Sequence, residues 1–96
     1  MRQTYIVSYD ISDPKRLRKV FRTMRGYGDH VQLSVFRCEL TETERVELRG
    51  RLSEVIHHRE DQVLFVDVGP AEGRGATSIS SLGRAYSEPQ VHAVVV

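Results

Sequence analysis

A β-strand followed directly by the start of a helix is predicted for residues 4–14, which read TYIVSYDISDP. β-Branched and aromatic residues dominate the first eight positions, as is typical of strands. Side chains alternate between the two faces of a strand, so Tyr5, Val7 and Tyr9 share one face and Asp10 belongs to the other. The stretch therefore predicts a β-α unit that leaves a carboxylate at the end of an apolar strand.

The helix that follows is predicted to be amphipathic and basic. Asp13 is its expected N-cap and Pro14 its first residue. Apolar residues recur at positions i, i+3, i+4 and i+7 over residues 17–24, which places them on one face. The remaining faces carry the candidate phosphate-binding cations, which are Lys15, Arg16, Arg18, Lys19 and Arg22.

Two further β segments and a second helix follow. The apolar positions of residues 30–40 change parity near Val35, which indicates either a bulge in one long strand or two strands sharing a tight corner. Thr41 and Glu44 have the spacing of a capping box and open the second helix. Residues 62–68 are almost uniformly apolar, which is typical of a central strand buried on both faces.

The order of these elements predicts an α+β fold, a ferredoxin-like βαββαβ sandwich with both helices on one face of an antiparallel sheet. Residues 69–77 are expected to form a Gly-rich loop and residues 78–83 a short strand. Residues 85–96 are expected to form an extended apolar tail that pairs with a sheet edge of its own chain or of a partner. We therefore expect a single domain spanning residues 1–96, with extra short C-terminal strands, that assembles as a homodimer.

Composition and charge narrow the class of protein. The chain of 96 residues has a formal net charge of +1. Residues 1–38 hold eight basic and three acidic residues, whereas residues 39–96 hold six basic and ten acidic ones. The basic first half indicates either a polyanionic partner or a solvated helix face. No apolar run reaches the length of a membrane span and the N-terminus does not resemble a secretory signal, so we expect a cytoplasmic protein without membrane contact.

Asp10 is the strongest candidate for chemistry. A carboxylate at a strand end can bind Mg²⁺ together with waters and substrate phosphates, because Mg²⁺ often takes only one or two protein carboxylates. Two copies related by a dimer twofold axis would form a carboxylate pair. The alternative is that Asp10 caps the amides of the following turn, as Asp often does at strand ends. The residues alone leave both interpretations open.

Several short motifs together resemble a known family. Tyr9-Asp10-Ile11 ends the first strand, the basic helix follows, Gly28 precedes the segment VQLSVF at residues 31–36, and a Leu-Gly pair ends residues 79–83. In this order and spacing they resemble the CRISPR-associated Cas2 family, the small Mg²⁺-dependent nuclease-like subunit of the spacer-acquisition machinery in antiviral defence. The resemblance covers nearly the whole chain up to about residue 84.

The resemblance implies a homodimer in which Asp10 of each chain is the metal-binding and catalytic position. Tyr9, Ser34 and Phe36 match segments that support the site, and the basic helix matches a segment linked with nucleic acid. His30 stands where many members carry Arg, so it is expected to contact phosphate only when charged.

Two functions remain in view. The first is a metal-dependent endonuclease that hydrolyses phosphodiester bonds of RNA or DNA. The second is a non-catalytic dimeric adaptor that binds DNA and bridges the integrase subunit. One carboxylate per chain and no evident general base keep the second function open.

Overall fold

The computed structural model describes residues 1–84, which form an antiparallel four-stranded sheet and three helices. In chain order they are β1 (Gln3–Asp10), α1 (Pro14–Arg25), β2 (Gly28–Gln32), β3 (Val35–Leu40), α2 (Glu42–Val55), β4 (Gln62–Pro70) and α3 (Arg74–Thr77). The strands lie in the order β2-β3-β1-β4. The predicted α+β class is confirmed, and none of these helices is long and apolar enough to cross a membrane.

The parity change in residues 30–40 marks a turn between two strands. β2 and β3 are separated by Leu33 and Ser34, and they pair with each other in an antiparallel hairpin. The Nε2 nitrogen of His30 donates to the Leu33 carbonyl at 3.0 Å and closes this turn. Of the two interpretations of the sequence, the tight corner is confirmed.

Both predicted helix starts are confirmed. The Asp13 carboxylate accepts a hydrogen bond from the Arg16 amide at 3.0 Å. The Thr41 hydroxyl accepts from the Glu44 amide at 3.1 Å, and the Glu44 carboxylate accepts in return from the Thr41 amide at 2.9 Å. Each cap satisfies amide groups that a helix leaves without an internal partner. Both strand-to-helix connections are therefore fixed by local hydrogen bonds, and the one at Asp13 follows Asp10 directly.

The core lies on one face of the sheet, which we call the inner face. The side chains of β1 that were predicted to share a face do so, since Tyr5, Val7 and Tyr9 are all buried. They form one cluster with side chains of α1, β3 and α2, namely Val20, Met24, Phe36, Cys38, Leu40, Leu48 and Leu52. Burying each large apolar side chain contributes roughly 1.5–3 kcal/mol. Helices α1 and α2 therefore pack against the inner face of the sheet and bury it.

The outer face of the sheet carries a second apolar surface that α1 and α2 do not cover. The strand register aligns Ile6 with Val66 and places Leu64 opposite Ser8, and these side chains point away from the core. Leu64 and Val66 are 50% and 48% exposed. We call Ile6, Val35, Leu64 and Val66 the outer apolar patch.

The expectation that residues 62–68 form a central strand buried on both faces is therefore wrong for the described part of the chain. There β4 lies at the end of the strand order and pairs only with β1. Its inner-face residues Val63 and Phe65 pack against the core, whereas its outer-face residues do not. Apolar residues on both faces of a strand indicate that both faces can be buried. They do not show whether the same chain provides the elements that bury them.

The segment after β4 also differs from the prediction. Residues 74–77 form the one-turn helix α3, and residues 78–84 contain no strand, so the extra short C-terminal strand expected at residues 78–83 is wrong. Gly75 of α3 is buried against Thr4 and Pro70; a β-carbon there would lie 2.8 Å from the Pro70 carbonyl oxygen. One glycine of the segment predicted to be a Gly-rich loop is thus needed for a close backbone contact. The predicted tail at residues 85–96 lies outside the described residues.

Candidate metal and nucleic-acid site

Asp10 is the last residue of β1 and lies on the outer face, opposite Gln62 of β4. Its side chain is exposed and has no hydrogen bond or ion pair with another residue of the described part of the chain. The turn amides that it was alternatively expected to cap are bound elsewhere, because Ser12 donates to Asp61 and Arg16 to Asp13. Asp10 is therefore an available carboxylate rather than a turn cap.

The loop that follows Asp10 is held by Asp61, which lies immediately before β4. The Asp61 side chain is fully buried and accepts hydrogen bonds from two backbone amides, a hydroxyl and a guanidinium. The backbone amide of Ser12 donates at 2.9 Å and its hydroxyl at 3.1 Å, and the His57 amide donates at 2.8 Å. The Arg16 Nε donates at 2.8 Å. We call Ser12, Arg16, His57 and Asp61 the Asp61 cluster, and it fixes the chain two residues after Asp10.

The electrostatics of the Asp61 cluster favour the ionised carboxylate. The hydrogen bond from the Arg16 guanidinium lowers the pKa of Asp61 far below its usual range, against desolvation, which raises it. The His57 and Ser12 amides lower it further. In return the carboxylate raises the pKa of Arg16. Charge-assisted hydrogen bonds of this kind are the strong ones in proteins.

Arg16 is thus placed differently from the other cations of α1. Its guanidinium contacts Asp61, the Ser12 hydroxyl and, at 3.3 Å, Glu60. Lys15, Arg18, Lys19 and Arg22 are exposed and form no ion pair with any described residue. Of the predicted phosphate-binding set, these four are the side chains with free charge in residues 1–84.

An apolar groove lies between α1 and the β2–β3 turn, with a volume of about 530 Å³. We call it the α1–hairpin groove; it is lined by Tyr9, Leu17, Arg18, Phe21, Arg22, Leu33 and Ser34. Leu33, at the tip of the turn, is 89% exposed. The Ser34 carbonyl accepts from the Tyr9 amide at 3.0 Å, which ties the turn to β1. Two of the residues implied to support the site, Tyr9 and Ser34, are therefore brought together here.

The other two predicted residues of this region, His30 and Phe36, belong to an aromatic cluster below the groove. The His30 ring lies 5.0 Å from the rings of both Phe21 and Phe36. Phe36 is fully buried and lies 6.3 Å from the Tyr9 ring. Phe36 and Tyr9 thus form the support of the groove, whereas His30 is exposed beside it.

The donor set for a metal ion is sparse. Within residues 1–84 no three His, Cys, Asp or Glu side chains are grouped as a metal site. One exposed carboxylate fits Mg²⁺ if waters, substrate phosphates or a second carboxylate supply the remaining oxygen ligands. Asp10 supplies that one carboxylate. The other oxygen ligands would come from water, from substrate phosphates or from a second copy of the chain. Cys38 is excluded as a ligand or nucleophile because burial raises the pKa of its thiol to about 12.

Sequence reasoning missed Asp61 and Leu33. Asp61 is one of two acidic residues before a strand, and nothing local shows that its partner is an arginine 45 residues away. Leu33 lies within residues 30–40, where the sequence pattern did not distinguish a turn from a bulge. The one available signal was the parity change itself.

The sequence of the chain is similar to those of proteins from one family. Residues 3–73 match the family described as CRISPR associated protein Cas2. The chain is 45% identical to CRISPR-associated endoribonuclease Cas2 1 of Rhodospirillum rubrum, over 96% of this chain and 89% of that protein. It is 41% identical to CRISPR-associated endoribonuclease Cas2 of Geobacter sulfurreducens over the whole of both chains.

Solved structures give the same result. The crystal structure of Streptococcus pyogenes Cas2 at pH 6.5 is similar with a TM-score of 0.73 and 33% identity, covering 83% of this chain and 99% of that one. A hypothetical protein from Thermus thermophilus is similar with a TM-score of 0.77 and 32% identity, covering 88% of this chain and 95% of that one. The fold and the sequence therefore point to the same family.

Proposed function

This chain belongs to the CRISPR-associated Cas2 family, and from that membership we propose that it is a Mg²⁺-dependent endonuclease that hydrolyses phosphodiester bonds. Its fold in this proposal is the ferredoxin-like βαββαβ sandwich, and the active species is a homodimer. RNA is the first substrate to test, because the relatives from Rhodospirillum rubrum and Geobacter sulfurreducens are named endoribonucleases. Its biological setting is spacer acquisition in antiviral defence, in the cytoplasm.

The observation that carries the proposal is the position of Asp10 beside the outer apolar patch. Asp10, Ser8 and Ile6 alternate along the outer face of β1, and Leu64 lies opposite Ser8 on β4. An exposed apolar patch on a small domain favours association with another surface. A second copy on this face, related by a twofold axis, would bury the patch and bring the two Asp10 carboxylates toward each other. That arrangement would supply the second carboxylate that one chain lacks.

In the proposed reaction, different residues of this chain bind the nucleic acid, hold the metal ion and position the loop. The exposed cations Lys15, Arg18, Lys19 and Arg22 would hold backbone phosphates and set the register of the strand. Asp10 would hold Mg²⁺, which when bound polarises a phosphodiester and lowers the pKa of a coordinated water. The Asp61 cluster keeps the loop after Asp10 in place, so that the carboxylate points outward before substrate arrives.

The alternative is a dimeric DNA-binding adaptor that bridges the integrase subunit. The single carboxylate per chain and the lack of a grouped metal site in residues 1–84 favour it. The same free cations would bind the DNA backbone, and Asp10 would have no part in turnover.

The two functions separate in one experiment. The purified wild-type protein is incubated with single-stranded RNA and with duplex DNA, in Mg²⁺ and in EDTA, and both products and complexes are measured. The endonuclease proposal expects products in Mg²⁺ and complexes without products in EDTA. Stable complexes without products under all conditions would favour the adaptor and reject the endonuclease.

A further inference from the structure

The α1–hairpin groove combines apolar walls with free positive charge. Leu17, Phe21 and Leu33 supply the walls, and Arg18 and Arg22 stand one helical turn apart beside them. No carboxylate lines the groove within the described residues, and neither arginine has an ion-pair partner there. A ligand that matches this surface has a flat apolar part and at least one negative charge next to it.

We propose that the α1–hairpin groove binds one unpaired nucleobase of the nucleic acid, with the flanking phosphates on Arg18 and Arg22. A nucleotide has both features that the groove matches, because every base has an apolar π-face and carries a phosphate on either side. The volume of about 530 Å³ lies within the range of small-ligand sites. The proposal rests on the proposed function only in taking nucleic acid as the ligand.

The base must be unpaired to reach the groove. In a duplex the faces of each base are stacked on its neighbours, so a protein pocket reaches a base only in a single strand or after extrusion. The free charges of α1 would attract a duplex as well, but only through its phosphates. The groove therefore adds a preference for single-stranded regions to an otherwise sequence-independent binding surface.

The rigidity of the groove supports this role. Its floor is fixed, since Phe21 packs against the rings of Phe36 and His30 at 5.5 and 5.0 Å. The turn that carries Leu33 is held by a hydrogen bond from His30 Nε2 to the Leu33 carbonyl and by one from the Tyr9 amide to the Ser34 carbonyl. An exposed leucine on a fixed turn can contact a base without being ordered on binding, which lowers the entropic cost.

The test measures affinity in EDTA, so that it does not depend on cleavage. The probes are a short single-stranded oligoadenylate RNA, the same strand with its internal bases removed, and a duplex of equal length. The variants are Leu33→Ser and the matched control Val46→Ser, which alters another exposed apolar side chain, on α2. Because Leu33 is 89% exposed, its replacement leaves the fold unchanged.

We expect Leu33→Ser to weaken binding of the intact RNA about 5-fold, which matches the lower end of what stacking of one base on an aromatic side chain contributes. It should change binding of the abasic strand and of the duplex less than about 2-fold, and Val46→Ser should change none of the three. Equal wild-type affinity for the intact and abasic strands would overturn the proposal. So would an equal loss on all three probes, which would assign the effect to phosphate contacts or to folding. If the protein discriminates the intact from the abasic strand in this way but cleaves nothing in Mg²⁺, the endonuclease proposal is rejected and the proposal of a base-binding groove stands.

Discussion

Arg16 on α1 and Asp61 before β4 form a buried ion pair, with 2.8 Å between Nε and Oδ2. The same carboxylate accepts the Ser12 amide, so the pair also fixes the loop that follows Asp10. A residue that the sequence suggested as a phosphate contact thus has a partner inside its own chain. Its expected effect on nucleic-acid binding is through the position of the loop.

Loss of the Asp61 carboxylate is expected to destabilise the domain. Asp61→Asn removes the buried counter-charge of Arg16 and leaves it only the exposed Glu60 at 3.3 Å, and removing one partner of a largely buried pair is costly. The melting temperature at neutral pH should fall by about 5 °C or more. Asp67→Asn is the matched control, because Asp67 of β4 is exposed and its hydrogen bonds, from Gln3 and the Gly69 amide, lie at the surface. Equal melting temperatures for the two variants would contradict the structural role of Asp61.

The ion pair between Arg16 and Asp61 should make the free energy of unfolding depend on pH. The folded-state pKa of Asp61 is lowered, so its contribution is fully present above the unfolded pKa, near 4, and declines as pH falls further toward the folded pKa. The difference in unfolding free energy between wild type and Asp61→Asn should therefore be constant from pH 5 to 7 and shrink below about pH 4. Denaturant titrations across this range measure it, and a difference that grows on acidification would reverse the sign.

Two glycines are expected to respond to alanine in opposite directions. At Gly28 of β2 an added β-carbon would meet the Cys38 sulfur and lie 2.6 Å from the Arg37 carbonyl oxygen, so Gly28→Ala should destabilise by about 1–3 kcal/mol. At Gly50 of α2 nothing lies within 4 Å, so Gly50→Ala should stabilise by up to about 1 kcal/mol. Urea midpoints of the two variants give the comparison, and destabilisation of similar size at both positions would be inconsistent with this packing.

The outer apolar patch is expected to mediate the dimer. Leu64→Asp places a charge within the patch and should convert the dimer to a monomer of 11.0 kDa, while circular dichroism stays unchanged. Val46→Asp, an exposed apolar position on α2, should leave the mass of the dimer unaltered. Sedimentation equilibrium at micromolar concentration measures both. A wild-type monomer, or a Leu64→Asp dimer of undiminished stability, would show that another surface or no surface is used.

Binding to duplex DNA should depend on salt through the free cations of α1. Replacing both Arg18 and Arg22 with Ala removes up to four phosphate contacts from a dimer, so the slope of log K against log salt should become less negative by about 2–4. Arg45→Ala is the control, because Arg45 is held by Glu42 at 2.6 Å. An unchanged slope in the double variant would mean that these arginines are only solvated.

Local sequence patterns predicted most of the helices and strands. Contacts between elements that are distant in the sequence could not be predicted in this way. Caps at Asp13 and Thr41 depend on residues three positions away, and the alternation of Tyr5 and Tyr9 depends on strand geometry alone. The exposure of Leu64 could not be predicted, since it depends on which strand lies at the end of the sheet. The link between Arg16 and Asp61 depends on the packing of α1 against the start of β4, which no local pattern encodes.

The candidate site divides in the same way. Asp10 was identified from its place at a strand end and from family resemblance, and the structure adds that its carboxylate is exposed and unpaired within residues 1–84. The α1–hairpin groove was not predicted, because it needs the turn at Leu33 to lie beside α1. Chemistry carried by one residue is visible in a sequence, whereas a surface built from three elements is not.

The central claim is that Asp10 is the metal-binding position of a Mg²⁺-dependent nuclease. The direct measurement is the rate of RNA cleavage across a Mg²⁺ titration, for wild type and for Asp10→Asn, with Asp29→Asn of β2 as the matched control. We expect a rate that rises with Mg²⁺ and saturates for wild type and Asp29→Asn. Asp10→Asn should show no cleavage above background while it still binds the RNA. Mg²⁺-dependent cleavage by Asp10→Asn at the wild-type rate would contradict the assignment.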